Sequence, residues 1–140
     1  MTDSVNSREL VLAILLAVTK DGIYSHVAIS DVLTKYQYLE KQERSFITRV
    51  SEGTLERMLE LDYIINQFSS VKVNKMKPVI RCIIRSAVYE MKYMDSVPVS
   101  ASCNEAVKLA KKKGFGKLSG FVNGCLLYTS DAADDTPCVD

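Results

Sequence analysis

Apolar residues recur at every third or fourth position along nearly all of this chain, and no stretch replaces that period with a two-residue alternation. Such a period builds helices packed on helices and offers no convincing strand. The clearest case follows Pro78, where Ile80, Ile83, Ile84, Ala87 and Met91 fall within one stripe. Arg81, Arg85 and Lys92 form a second stripe, roughly 100–140° around the axis from Ile80. Proline suits the first turn of a helix, where its missing N–H has no partner to lose. The expected element is a core helix with a cationic edge.

The same period places the other helices. Asn6 followed by Glu9 fits a capping box, and Leu10, Ile14, Ala17 and Val18 predict a helix from about Ser7 to about Lys20, closed by Asp21-Gly22. Ser25 is expected to cap a second helix with Val27, Ala28, Val32 and Leu33 on its buried side. From about Lys41 to Gln67 the pattern stays helical, through Phe46, Ile47, Val50, Leu55, Met58, Leu59 and Leu61 to Ile65. Gly53 interrupts it. A helical glycine costs about 1 kcal/mol relative to alanine, so Gly53 marks either a break or a close helix approach. Phe68-Ser69-Ser70 reads as a connector and Asp95 to Pro98 as a turn; Ser100 or Ser102 caps a helix that buries Ala106, Leu109 and Ala110. The expected fold is all-α, a compact bundle of about six or seven helices packed ridges into grooves.

At 140 residues the chain reads as one domain, long enough to bury about 68–70% of its unfolded surface. Its longest apolar run, Leu10 to Val18, falls well short of the roughly 20 residues of a bilayer span, and no signal-peptide pattern precedes it. A cytoplasmic protein without a membrane partner is expected. Cys82, Cys103, Cys125 and Cys138 form no C-x-x-C pair and lie far from the single histidine, His26, so no metal site is assigned. Cys82 and Cys103 read as small hydrophobes on half-buried helix faces, and His26 as a helix-surface or capping residue. Without a glycine-rich loop after a strand the chain offers no cofactor cradle. Thr136-Pro137-Cys138 sets a cysteine beside a proline, but without a base or cofactor pocket nearby it gives no catalytic assignment.

Charge is distributed unevenly. Residues 1–70 carry seven Lys/Arg against ten Asp/Glu, for −3; residues 71–117 carry eleven against three, for +8; the rest carries four aspartates and no base. The net charge of +1 conceals that middle segment. Its basic residues form two sets: Lys72, Lys75, Lys77, Arg81 and Arg85, and Lys108, Lys111, Lys112, Lys113 and Lys117. Folded RNA is gripped through several phosphates at once, by arginine in bidentate fashion and by lysine as a point charge, so these ten are the candidate RNA contacts. A solvated helix face is the plainer reading of the same pattern. Tyr89 and Tyr93 offer stacking faces beside the arginines, although aromatics at helical spacing more often fill a core.

Several stretches, in order and at matching separations, resemble the NusB-type helical RNA-binding domain: Pro78-Val79-Ile80-Arg81, Ala87-Val88-Tyr89-Glu90, Val97-Pro98, Asn104-Glu105-Ala106-Val107-Lys108-Leu109-Ala110 and Gly120-Phe121-Val122-Asn123-Gly124. The resemblance covers nearly everything from Arg8 to Gly124. That family has two settings, the free-standing transcription antitermination factor and the N-terminal domain of a small-subunit rRNA cytosine-C5 methyltransferase. Gly22-Ile23-Tyr24-Ser25, Glu43-Arg44-Ser45-Phe46, Gly53-Thr54-Leu55, Ile65-Asn66-Gln67-Phe68-Ser69 and Gly116-Lys117-Leu118-Ser119-Gly120-Phe121 look like the second. The resemblance implies a non-catalytic domain that helps to position ribosomal RNA, with S-adenosylmethionine bound by a catalytic domain missing from this chain. In the first setting the implied partners are RNA and a small-subunit ribosomal protein. A helical protein-interaction module without RNA, or a basic edge that docks onto the missing methyltransferase domain, stays open.

After Gly124 the chain departs from that pattern and reads Cys125-Leu126-Leu127-Tyr128-Thr129-Ser130-Asp131-Ala132-Ala133-Asp134-Asp135. One back-translation, TGT CTC TTA TAC ACA TCT GAC GCT GCC GAC, resembles a transposon-end sequencing adaptor. Residues 1–124 are therefore expected to form the domain, and residues 125–140 a non-native or disordered acidic tail with order ending near Tyr128.

Overall fold

A computed structural model of the chain describes residues 6–135, with side chains through Thr129. Among the described residues the backbone forms seven α-helices and no strand: α1 (Ser7–Thr19), α2 (Ser25–Lys35), α3 (Lys41–Glu56), α4 (Met58–Phe68), α5 (Pro78–Tyr93), α6 (Val99–Lys112) and α7 (Ser119–Asp135). Short 3-10 turns lie at Val73–Lys75 and Gly116–Leu118. No described helix is long and apolar enough to cross a membrane.

Local chemistry sets most of the helix ends. Asn6 caps α1, its Oδ1 accepting from the Arg8 N–H at 2.7 Å, and Gly22 leaves that helix with φ +76°, a left-handed turn that a residue with a Cβ adopts only at a cost. Glu9 does not complete the capping box, because its carboxylate accepts from Lys112 and Lys113 instead. α2 starts one residue earlier than expected: Tyr24 is its N-cap, Ser25 lies inside the first turn, and Val27 is exposed while Ala28 and Ile29 are buried. Pro78 opens α5 as its composition predicts. α6 is entered from Pro98, and Ser102 is drawn into the interior rather than capping.

α5 is the central element and packs against α1, α3, α4, α6 and α7. Ile80, Ile83 and Ile84 are at most 1% exposed, and burial of each contributes about 1.5–3 kcal/mol. Two charged side chains are buried on the same helix. Glu90, 2% exposed, accepts from Arg8 Nε at 3.1 Å and Nη2 at 2.6 Å and from the Ser102 hydroxyl at 2.9 Å. This joins α5 to α1 and α6, and the Arg8 guanidinium lies 5.1 Å from the Phe46 ring centroid, which brings in α3. Arg85, 8% exposed, donates in bidentate fashion to Asp62 on α4, at 2.7 and 2.8 Å.

The long helical stretch from Lys41 divides at Arg57, not at Gly53. Gly53 sits inside α3 where the ring of Tyr89 on α5 lies directly over it, so a side chain there would overlap the ring. It marks a close approach of two helices. α7 runs without a break across the expected boundary at Gly124: Val122, Cys125, Leu126 and Thr129 are all buried, and the helix continues through Asp135, past the expected end of order near Tyr128. These four positions share one helical face. Thr136, Pro137 and Cys138 lie outside the described residues. Cys82, Cys103 and Cys125 are buried free thiols, each pushed above the usual thiol range by burial, which disfavours the reactive thiolate.

Gly53→Ala is expected to destabilise the protein by roughly 1–3 kcal/mol through overpacking against Tyr89, although the same change in an open helix would stabilise. Urea denaturation shows the sign. Removing one partner of the inner pair, as in Asp62→Ala, is expected to cost about 3 kcal/mol, and combining Arg85→Met with Asp62→Leu is expected to recover most of it. If the double variant unfolds as readily as the single one, the cost of a stranded buried charge is not the cause.

Candidate nucleic-acid interface

The structure splits the ten candidate residues by chemistry as much as by position. Arg85 points inward onto Asp62 and is closed to an external phosphate, which corrects its place on a cationic edge. Arg81 is half-buried and donates through Nε to the Val73 carbonyl at 3.0 Å and through Nη2 to the Met76 carbonyl at 2.9 Å. Its guanidinium therefore holds the connector between α4 and α5 and is not presented to solvent as a bidentate anion grip. A helical-wheel stripe shows only the angle of a side chain; the partners of these two lie in other segments of the chain.

What Arg81 holds is a lysine-bearing strip. Val73 and Met76 are 3% and 6% exposed and anchor the connector to the core. The Val73 N–H donates to Asn66 Oδ1 at 2.8 Å, which ties the strip to α4. Between these anchors Lys72, Lys75 and Lys77 stand exposed, and among the described residues none of the three is within an ion pair.

The second set sits at the far end of α6, against α1. Lys112 and Lys113 donate to the two carboxylate oxygens of Glu9, at 2.8 and 2.9 Å. Lys112 first, then Lys113, hold the Glu9 carboxyl below the usual carboxylate range. Lys108 makes a loose 3.5 Å pair with Glu105 and stays 74% exposed. Lys111 and Lys117 are exposed and, among the described residues, unpaired. Gly114, at φ +90°, turns the chain out of α6, and Lys111, Lys112 and Lys113 also complement the negative end of the helix dipole. Among the described residues no hydrogen bond or ion pair joins the two sets: one rests on α4 and α5, the other on α1.

Neither tyrosine is free for stacking by a ligand. Tyr89 is 7% exposed over Gly53. Tyr93 donates its hydroxyl to Glu60 at 2.6 Å, lies under the Arg57 guanidinium at 4.5 Å, and has its phenol pushed up to about 12 by burial and by Glu60. Sequence reasoning also missed a general division of labour. All six arginines have an acceptor within the chain: Arg8 on Glu90, Arg44 on the Leu33 and Tyr36 carbonyls, Arg49 on the Tyr93 carbonyl, Arg57 loosely on Glu60, Arg81 on the connector and Arg85 on Asp62. Arg49 and Arg57 stay exposed beside theirs, and the exposed cations without a hydrogen-bond partner among the described residues are lysines.

Comparison with known proteins gives this arrangement a family. The NusB family profile matches residues 5–130. A probable ribosomal RNA small subunit methyltransferase B of Synechocystis sp. is 35% identical over 122 residues, which are 87% of this chain and 27% of that protein. A probable ribosomal RNA small subunit methyltransferase B of Bacillus subtilis is 33% identical over 85% of this chain and 26% of its own length. The chain thus spans about a quarter of these relatives. The transcription antitermination protein NusB of Bacillus subtilis is 35% identical over 86% of this chain and 88% of its own length. Among solved structures, one of the antitermination factors NusB and NusE in complex with dsRNA superposes with a TM-score of 0.82 at 21% identity, over 90% of this chain and 94% of that one. With the family profile spanning residues 5–130 and a 35% identical relative matched over most of both lengths, the chain belongs to the NusB family.

Proposed function

We propose that this chain is an RNA-binding module that holds structured ribosomal RNA through lysine–phosphate contacts. The observation that carries the reading is the set of exposed lysines without ion-pair partners among the described residues, Lys72, Lys75 and Lys77 on a clamped connector and Lys111 and Lys117 at the end of α6, in a chain of the NusB family. Lysine contacts of this kind grip phosphate and carry little sequence readout. Lys108, Lys112 and Lys113 extend the second set. Arg81 and Arg85 act as scaffold.

The setting we favour is a small-subunit rRNA cytosine-C5 methyltransferase, in which this module helps to place the RNA for a catalytic domain that binds S-adenosylmethionine. Two such relatives, and the stretches around Gly22, Glu43 and Gly116, support it. The alternative setting is a free-standing antitermination factor that works in the cytoplasm beside a small-subunit ribosomal protein. It is favoured by the Bacillus subtilis NusB match, whose length the chain nearly fills.

Replacing Lys72, Lys75 and Lys77 together by alanine is expected to weaken binding to a small-subunit rRNA fragment and to lower the steepness of log K against log salt by about 2–3, while Arg85→Met leaves that slope alone. Fluorescence anisotropy at four salt concentrations reads both, and an unchanged slope for the triple variant removes the connector from the interface. The two settings separate on the gene itself. Resequencing past the Gly124 codon is expected to replace the adaptor-like segment with an open frame for a methyltransferase domain; a stop codon within a few turns of α7 would select the antitermination factor.

A further inference from the structure

Between α1 and the residues that follow α2 lies a cleft of about 350 Å³, near the lower end of the ~300–1,000 Å³ usual for small-ligand sites. Leu10, Leu12 and Leu16 give it apolar walls, and the exposed Ala13 leaves it open along one turn of α1. Tyr36 faces them from the end of α2. Its backbone is fixed by Arg44, which donates to the Tyr36 carbonyl at 3.3 Å, and its ring is flanked by Lys35 at 5.4 Å and by the edge of Tyr38. Glu9 and Lys113 line the same cleft. An apolar slot with one aromatic wall, one carboxylate and a lysine pair at its rim combines the features that a single nucleotide presents: a flat apolar ring, ring donors and a phosphate.

The Glu9–lysine fork has capacity to spare. Each ammonium has three donors and spends one on Glu9, and the carboxylate has about four lone-pair positions with two in use. A phosphate can join Lys112 and Lys113, and a base donor can join Glu9, without breaking the fork. With two lysines holding it ionised, Glu9 accepts and does not donate. Guanine offers adjacent N–H donors, cytosine and adenine one amino group each, and uracil an N–H flanked by two carbonyls that a carboxylate repels.

We propose that this cleft is a subsite for one unpaired nucleotide of the bound RNA, its base between the Tyr36 ring and the Leu10–Leu16 face of α1, its donors on Glu9 and its phosphate on Lys112 and Lys113. This rests on the RNA-binding reading above. The subsite prefers guanine, tolerates cytosine and adenine, and disfavours uracil. It supplies base selection that the lysine surfaces lack.

The test titrates the full 140-residue chain with a labelled ten-residue oligouridine and with the same oligonucleotide carrying one central guanosine. The guanosine is expected to tighten binding roughly fivefold or more, in the range of one stacked, hydrogen-bonded base. Glu9→Gln is expected to abolish that preference while raising affinity for oligouridine, because the lysines lose their internal anion. Tyr36→Ala is expected to remove the preference as well. Ala13→Gln, at an exposed helical position that the fold does not need, fills the slot and is expected to do the same with the helix content unchanged. RNA binding that stays salt-dependent but shows no guanosine preference, or a preference that survives both Ala13→Gln and Tyr36→Ala, overturns the subsite and leaves the RNA reading standing. Absence of RNA binding overturns both. Loss of affinity for a small-subunit ribosomal protein in Ala13→Gln, with unchanged RNA titrations, overturns the subsite in favour of a protein side chain.

Discussion

Glu90 carries the constraint from which the arrangement of helices follows. A carboxylate taken out of water costs several kcal/mol unless its oxygens are met by donors, and at 2% exposure Glu90 is met only where Arg8 and Ser102 converge on it. That requirement fixes α1 and α6 against the C-terminal half of α5. It also sets what the next residue of α1 does. Successive helical positions lie about 100° apart, so with Arg8 turned to the core Glu9 turns to the end of α6, where Lys112 and Lys113 meet it. Arg85 performs the equivalent service with the opposite sign on the other side, drawing α4 in through Asp62. The central helix therefore carries one buried charge of each sign, each neutralised by a different neighbour.

The two kinds of cation divide the work along physical lines. Guanidinium is planar, always charged and able to grip two acceptors at once, which suits it to internal carbonyls and carboxylates. Arg8, Arg44, Arg81 and Arg85 are used that way, most tellingly Arg81, whose two bonds pin the connector between α4 and α5. An ammonium on a flexible stem is more strongly hydrated and stays at the surface. The positive face is consequently a lysine face, mounted on a framework that arginine holds in place.

Much of this was legible in the sequence where the cause is local. Asn6 as a cap, the positive-φ Gly22, Pro78 at the start of α5 and the apolar period through Ile80, Ile83 and Ile84 all act within a turn or two, so the sequence around them contains their explanation. Gly53 was legible as a question with two answers, and only Tyr89, 36 residues on, decides between them. Arg85 was misread for the same reason: Asp62 is 23 residues away, and a wheel diagram cannot tell a cation that faces solvent from one that faces an acid on a neighbouring helix. The continuation of α7 is carried by register and not by composition, which turns acidic after Gly124. Val122, Cys125, Leu126 and Thr129 keep the helical spacing straight through the change in sequence character after Gly124, and the interior accepts side chains by size and position, whatever their origin.

The Arg81 clamp has a thermodynamic consequence beyond holding a loop. Ordering one residue of mobile backbone costs about 1–2 kcal/mol, and a flexible lysine-rich segment incurs that cost each time it closes on a partner. Here Val73, Met76, Asn66 and Arg81 have already fixed the backbone when the protein folds. Only the side-chain stems of Lys72, Lys75 and Lys77 remain to be ordered on contact. The strip therefore carries its three ammonium stems from backbone positions that are set before any contact is made.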